Sequence, residues 1–96
     1  MGRTFEVNDK SGRKIHLSKE RWKHINQEHP EVAPYLEDMK NTLTSPLKIV
    51  SYEYDETVHY YYKYFKQRQL PYLLIIVKYL NGSGFIITAY FVRNIR

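Results

Sequence analysis

Four histidines, His16, His24, His29 and His59, are the side chains of this 96-residue sequence able to take up and release protons near neutral pH. Two of them fall in one run, His24-Ile25-Asn26-Gln27-Glu28-His29, whose surroundings predict a helix. At about 100° per residue, Arg21, His24 and Glu28 share a face, while Trp22, Ile25 and His29 form the apolar stripe. His24 therefore stands beside a cation and a carboxylate, a setting for acid–base chemistry, although an exposed or capping histidine fits the same position. His29 sits at the helix end on the apolar side. There an imidazole can bond the last carbonyls and favour the dipole, or serve as a proton-transfer partner. The two are five residues apart and so do not share a face, which argues against a two-histidine zinc pair.

Tyrosine is the second unusual feature. There are ten, with Tyr60, Tyr61 and Tyr62 consecutive and Tyr52, Tyr54 and Tyr64 nearby. Tyrosine stacks on bases and its hydroxyl reaches phosphate, so tyrosines interleaved with cations suit single-stranded nucleic acid. Tyrosine is also a good strand former whose ring fills a core rim while its hydroxyl stays wet, and that reading accounts for many of the ten.

Charge points the same way as the tyrosines. The net charge is +5, and no acid follows Glu56, so Lys63, Lys66, Arg68, Lys78, Arg93 and Arg96 lie in a segment with nothing local to neutralise them. That footprint suits phosphates, and it also suits a solvated face kept for solubility. Without cysteine there is no disulfide framework, thiolate metal site or cysteine nucleophile. No phosphate-binding glycine loop, calcium loop, HExxH helix or GxSxG elbow is present, so neither a metal nor an organic cofactor is expected. The longest apolar stretch, Leu73 to Val77, is far shorter than the roughly 20 residues of a membrane span, and the N-terminus lacks an apolar signal region. A cytoplasmic protein without a membrane partner is the expectation.

Length and composition fit one small domain over residues 1–96. Arg3–Val7 and Lys14–Leu17 are strand-like runs around Asn8-Asp9-Lys10-Ser11-Gly12, which predicts an opening hairpin. Ser18 is a candidate N-cap for a helix from Lys19 to Glu28 or His29, with Leu17 and Trp22 as a hydrophobic staple. Pro30 ends that helix. A second is predicted with Pro34 in its first turn and Val32, Leu36, Met39 and Leu43 on one side, stopping before Ser45-Pro46.

From Lys48 onward the pattern is of strands: Lys48–Tyr54, Thr57–Phe65, Tyr72–Tyr79 and Phe85–Arg93, with Asp55-Glu56 and Asn81-Gly82-Ser83-Gly84 as turns. The expected fold is α+β: a hairpin and two helices on one face of a four-stranded antiparallel sheet, leaving the other face free. Alternation puts Phe85, Ile87, Ala89 and Phe91 on one side of the last strand and Ile86, Thr88, Tyr90 and Val92 on the other. In the tyrosine strand it puts Val58, Tyr60, Tyr62 and Tyr64 opposite His59, Tyr61, Lys63 and Phe65. Which of these sides is open is not decided by the alternation.

The run His24 to Glu31, the helix up to Thr42-Leu43 followed by Pro46, the tyrosine-bearing strand and Phe85-Ile86-Ile87-Thr88-Ala89-Tyr90 together resemble the phage-associated barnase, EndoU, colicin and RelE-like nuclease family, from about Lys14 to Arg93. The resemblance implies helices packed on an antiparallel sheet and a metal-independent ribonuclease site where helix and sheet meet. It places the catalytic positions on His24, His29, Thr88 and Tyr90, and adds a strand tyrosine, Tyr61 or Tyr62, at the substrate. In such a site the substrate's 2′-OH attacks the adjacent phosphate to leave a 2′,3′-cyclic phosphate. His24 would lead the proton transfer with Tyr90 or His29 as partner. Arg21 or Lys63 would stabilise the phosphoryl oxygens, with Arg93 as a further substrate contact. RNA is then the expected partner, and a toxin-like ribonuclease would need an acidic antitoxin or immunity protein. The competing readings are a non-catalytic RNA-binding module and a protein-interaction module of phage origin.

Overall fold

Local chemistry sets the chain reversals. In the computed structural model, which describes residues 2–96, the first two strands are β1 (Arg3–Asn8) and β2 (Lys14–Ser18). The turn between them closes on Asp9, whose carboxylate accepts from the Ser11 and Arg13 backbone N–H groups, while Gly12 takes a φ of 91°. Ser18 then caps α1 (Lys19–Glu28), its hydroxyl accepting from the Arg21 N–H at 3.0 Å. Leu17 is fully buried and Trp22 packs against the core, as a staple requires.

Pro30 stops α1 as its sequence demands, but Pro34 does not open the next α-helix. Pro30–Tyr35 form a 3-10 helix that includes Pro34, and α2 (Leu36–Thr44) starts only after it. The remaining strands are β3 (Lys48–Ser51), β4 (Val58–Tyr64), β5 (Tyr72–Leu80) and β6 (Ser83–Val92). Asn81 and Gly82 both have positive φ, the two-residue turn that matches strand twist and joins β5 to β6. The loop from β3 to β4 is longer than a tight turn: Tyr52 N–H donates to Val58 O, and Asp55 accepts from the Thr57 N–H and hydroxyl.

The sheet has six strands, not four, in the order β1-β2-β6-β5-β4-β3. The opening hairpin extends the meander, because β2 lies parallel to β6 through Ile15↔Gly84 and His16↔Phe85. Without it the edge of β6 would present unpaired backbone groups. All other neighbours are antiparallel. Gly84 matters at this junction, since a Cβ there would lie 2.8 Å from Tyr79 Cε1.

The helices cover one face. Ile25 of α1, Val32 of the 3-10 helix, and Met39 and Leu43 of α2 share a core with Leu73, Ile75 and Val77 of β5. In β6 an irregularity interrupts the alternation: Ile76 pairs with Thr88 but Val77 pairs with Ile86. Ile87 is the extra residue, so Ile86 joins Ala89 and Phe91 in the core instead of facing the opposite way. Thr88, Tyr90 and Val92 keep to the open face. Among the described residues no helix is long and apolar enough to cross a membrane.

Candidate functional site

Register decides which side chains meet on the open face. Directly paired residues on antiparallel strands point to the same side, so Lys48, Tyr62, Leu74 and Tyr90 form one row from β3 to β6. The adjacent row is Val50, Tyr60, Ile76 and Thr88. Thr88 and Tyr90 are thus neighbours on this face, and Tyr60 and Tyr62 stand across the sheet from them.

A hollow of about 310 Å³ opens here, lined among others by Tyr60, Tyr62, Tyr90, Asn94 and Arg96. Arg96 closes one side. Its backbone N–H donates to the Tyr62 hydroxyl at 3.3 Å, and its guanidinium lies 5.5 Å from the Tyr60 ring centre. Burial pushes the Tyr62 phenol above its ordinary pKa, and Arg96 draws it part of the way back.

Histidine enters from the flank. After two pairs β2 leaves β6, and the chain continues as α1, which packs against β6. His29, directly after α1, donates its backbone N–H to Ile25 O at 2.7 Å. Its ring stacks on Tyr90, with centroids 4.8 Å apart and planes 19° from parallel, and its Nδ1 lies 3.8 Å from Glu31 Oε2. The histidine expected at the helix end and the tyrosine expected on the last strand therefore touch. Thr88 is beside them with its hydroxyl buried and, among the described residues, unpartnered.

His24 is elsewhere on α1. It is more than half exposed and pairs with Glu28, Nε2 to Oε2, at 3.4 Å. With Ser18, Glu20 and Arg21 it lines a separate hollow of about 330 Å³. Among the described residues, the hydrogen bonds and ring contacts tie His29, not His24, to β6. Arg21 stays with His24, so two of the expected groups share this second hollow.

The other expected substrate contacts divide by strand parity. Tyr61 and Lys63 point to the helix side. Tyr61 is fully buried, and Lys63 Nζ lies 5.8 Å from the Phe65 ring centre. Alternation already set Tyr61 and Lys63 opposite Tyr62, and the structure turns the Tyr62 side to the uncovered face. Arg93 is exposed, one residue past β6. Tyr60 and Arg96, which line the hollow, were not anticipated as site residues. Tyr60 was legible from its shared parity with Tyr62, whereas Arg96 lies beyond any periodic pattern.

Tyr61 belongs to a buried network under the β1–β2 turn. Asp9 Oδ2 accepts from the hydroxyls of Tyr61 at 2.8 Å and Tyr79 at 2.7 Å, and the Arg13 guanidinium lies 3.7 Å from the centre of the Tyr79 ring. Burial alone would raise the Asp9 pKa. Hydrogen bonds from Ser11, Tyr79, Tyr61 and the Arg13 backbone outweigh it and hold the carboxyl well below its usual range. Burial pushes the Tyr61 phenol up to about 12, and Tyr79 higher still. His59 faces the Tyr79 ring at 5.1 Å, and burial lowers its pKa. Among the described residues no group of three or more His, Cys, Asp or Glu could hold a metal ion.

The fold is α+β, with the histidine that follows α1 stacked on a tyrosine of the sheet. The chain matches the model of the phage-Barnase-EndoU-ColicinE5/D-RelE like nuclease 2 family over residues 1–95, and it belongs to that nuclease family. No curated protein and no solved structure matches it.

Proposed function

We propose that this domain is a metal-independent endoribonuclease whose acid–base pair is His29 and Tyr90. The observation that carries this reading is the stacking of His29 on Tyr90, a tyrosine that lines a hollow together with Arg96. In the proposed reaction His29 takes the proton of the substrate's 2′-OH as that oxygen bonds to phosphorus. Tyr90 gives its phenol proton to the departing 5′-oxygen as the P–O5′ bond breaks. Products are a 2′,3′-cyclic phosphate and a 5′-OH end, and solvent returns the proton from His29 to Tyr90. Arg96 supplies the positive charge for the phosphorane-like transition state, the part first expected of Arg21 or Lys63. Thr88, whose hydroxyl has no partner among the described residues, hydrogen-bonds the phosphate or positions Tyr90 by packing beside it. His24, first expected to lead the proton transfer, takes a secondary part with Arg21, since its imidazole is paired with Glu28.

Purified protein incubated with end-labelled RNA in EDTA tests the proposal. Cyclic-phosphate ends are expected, and His29→Ala or Tyr90→Phe should each lower the rate about 10²–10⁴-fold while leaving the fold intact. His24→Ala should lower it less. If RNA stays intact in a shifted complex, the non-catalytic RNA-binding reading replaces this one. If His24→Ala alone abolishes cleavage, the roles of the two histidines are exchanged. A toxin-like activity of this kind in the cytoplasm would call for a neutralising partner, and a basic segment without an acid after Glu56 suits an acidic antitoxin or immunity protein.

A further inference from the structure

The hollow beside Tyr90 has a neighbour. A third hollow, of about 350 Å³, lies toward the β3 edge of the same face, lined by Val50, Ser51, Tyr52, Glu53, Tyr60 and Arg96. Tyr60 and Arg96 therefore line both, and form a common wall. On the far side of that wall Tyr52 stacks on Tyr60, with ring centroids 5.8 Å apart and planes 13° from parallel. The wall combines an aromatic face with a guanidinium whose Nη1 lies 3.5 Å from the Tyr60 hydroxyl.

We infer that the outer hollow is a second nucleotide subsite, holding an unpaired base that carries an exocyclic amino group and that adjoins the nucleotide at Tyr90. This rests on the nuclease reading for the inner hollow. Three observations lead to it. First, the outer hollow is lined from β3 and β4 and the inner one from β4 to β6, so their centres lie between one and two strand spacings apart, roughly 5–10 Å. Successive bases of a helix are only about 3.4 Å apart along one strand, so a base in each hollow requires an unstacked, single-stranded segment. Second, the parallel Tyr52 and Tyr60 rings offer the outer base a stacking surface, and Arg96 on the shared wall meets the phosphate between the two nucleotides. Third, Glu53 is the acid among the residues lining the outer hollow. A carboxylate repels phosphate but accepts hydrogen bonds from the exocyclic amino groups of adenine, cytosine or guanine, whereas uracil offers it only the single ring N3–H.

The test uses the full chain and 2′-O-methyl oligonucleotides, whose blocked oxygen cannot attack, so that binding is measured apart from cleavage. Mononucleotides and dinucleotides with A or U at either position are titrated calorimetrically. The dinucleotide should bind more tightly than the mononucleotide, and A should be preferred over U at one position only. Tyr52→Ala should weaken dinucleotide binding roughly 5- to 150-fold, the loss expected for one stacked base. Tyr64→Ala, on the same face but outside both hollows, should not. Glu53→Gln should remove the A-over-U preference, and circular dichroism checks that each variant is folded. Equal affinity for mono- and dinucleotide, or a Tyr52→Ala variant that binds like wild type, would overturn the second subsite. Loss of the Tyr52 effect with RNA cleavage retained refutes the subsite alone. Tight, Tyr52-dependent dinucleotide binding without cleavage of any RNA refutes the catalytic reading and leaves the subsite standing.

Discussion

Asp9 shows how the same side chain can be read as turn chemistry in the sequence and as a buried anchor in the fold. Its position in Asn8-Asp9-Lys10-Ser11-Gly12 predicts the turn. Nothing local predicts that its second oxygen collects the hydroxyls of Tyr61 and Tyr79, which lie 52 and 70 residues further on. This network removes Tyr61 from the pool of substrate contacts and assigns it to structure. Tyr61 and Tyr79 also hydrogen-bond each other, so replacing Asp9 by Ala leaves one of the two buried phenols without an acceptor, at about 1–3 kcal/mol. The Asp9→Ala variant should therefore lose at least about 1–3 kcal/mol in a urea titration. An unchanged midpoint would mean that the network contributes nothing. At the candidate site, the helical pattern leaves His24 and His29 about equal, because periodicity reports faces of one helix, not what that helix leans against.

Elements were more legible than their assembly. The N-cap at Ser18, the stop at Pro30 and the Asn81-Gly82 turn all work through contacts within a few residues, and all stand where turn and cap chemistry put them. The pairing of β2 with β6 depends on residues about 70 positions apart, and the extra residue at Ile87 depends on what β5 offers across the sheet. Alternation alone cannot see either. Gly84 joins these two scales: it lies in the turn-rich run, yet its function is to let the Tyr79 ring cross the start of β6. Gly84→Ala puts a methyl within 2.8 Å of that ring and 3.0 Å of Val77 Cγ1. Overpacking of this kind costs about 1–3 kcal/mol, so a lower melting temperature is the expected outcome. A variant as stable as wild type would show that the Tyr79 ring moves aside freely.

Across the whole molecule, proton binding by the buried groups limits the pH range of the fold. His59 and His16 have pKa values lowered from 6.5, chiefly by burial, so the fold favours their neutral forms. Their contribution is complete above pH 6.5 and is lost as pH falls through the lowered folded values. Asp9, depressed from 3.8, contributes fully above that pH and adds a second loss below it. At the alkaline end Tyr61 is raised from 10.0 to about 12, so its contribution is complete below pH 10.0 and is lost as pH rises toward 12. Urea midpoints measured across pH should therefore form a plateau between about 6.5 and 10, falling on both sides. His59→Phe should flatten the first part of the acid limb, and an acid limb identical to wild type would exclude His59 as its source.

Sequence by itself determined the α+β class, most strand and helix positions and the acid-free basic segment after Glu56, because each is written in local pattern or composition. It also carried the family resemblance. Tertiary structure alone decided that six strands form the sheet, that the open face takes Tyr60 and Tyr62 but not Tyr61, and that His29 rather than His24 meets Tyr90. These outcomes turn on which edge β6 offers to β2 and on one extra residue in a strand. They are contacts between segments far apart in the chain, and a periodicity of two or 3.6 residues contains no information about its distant partner.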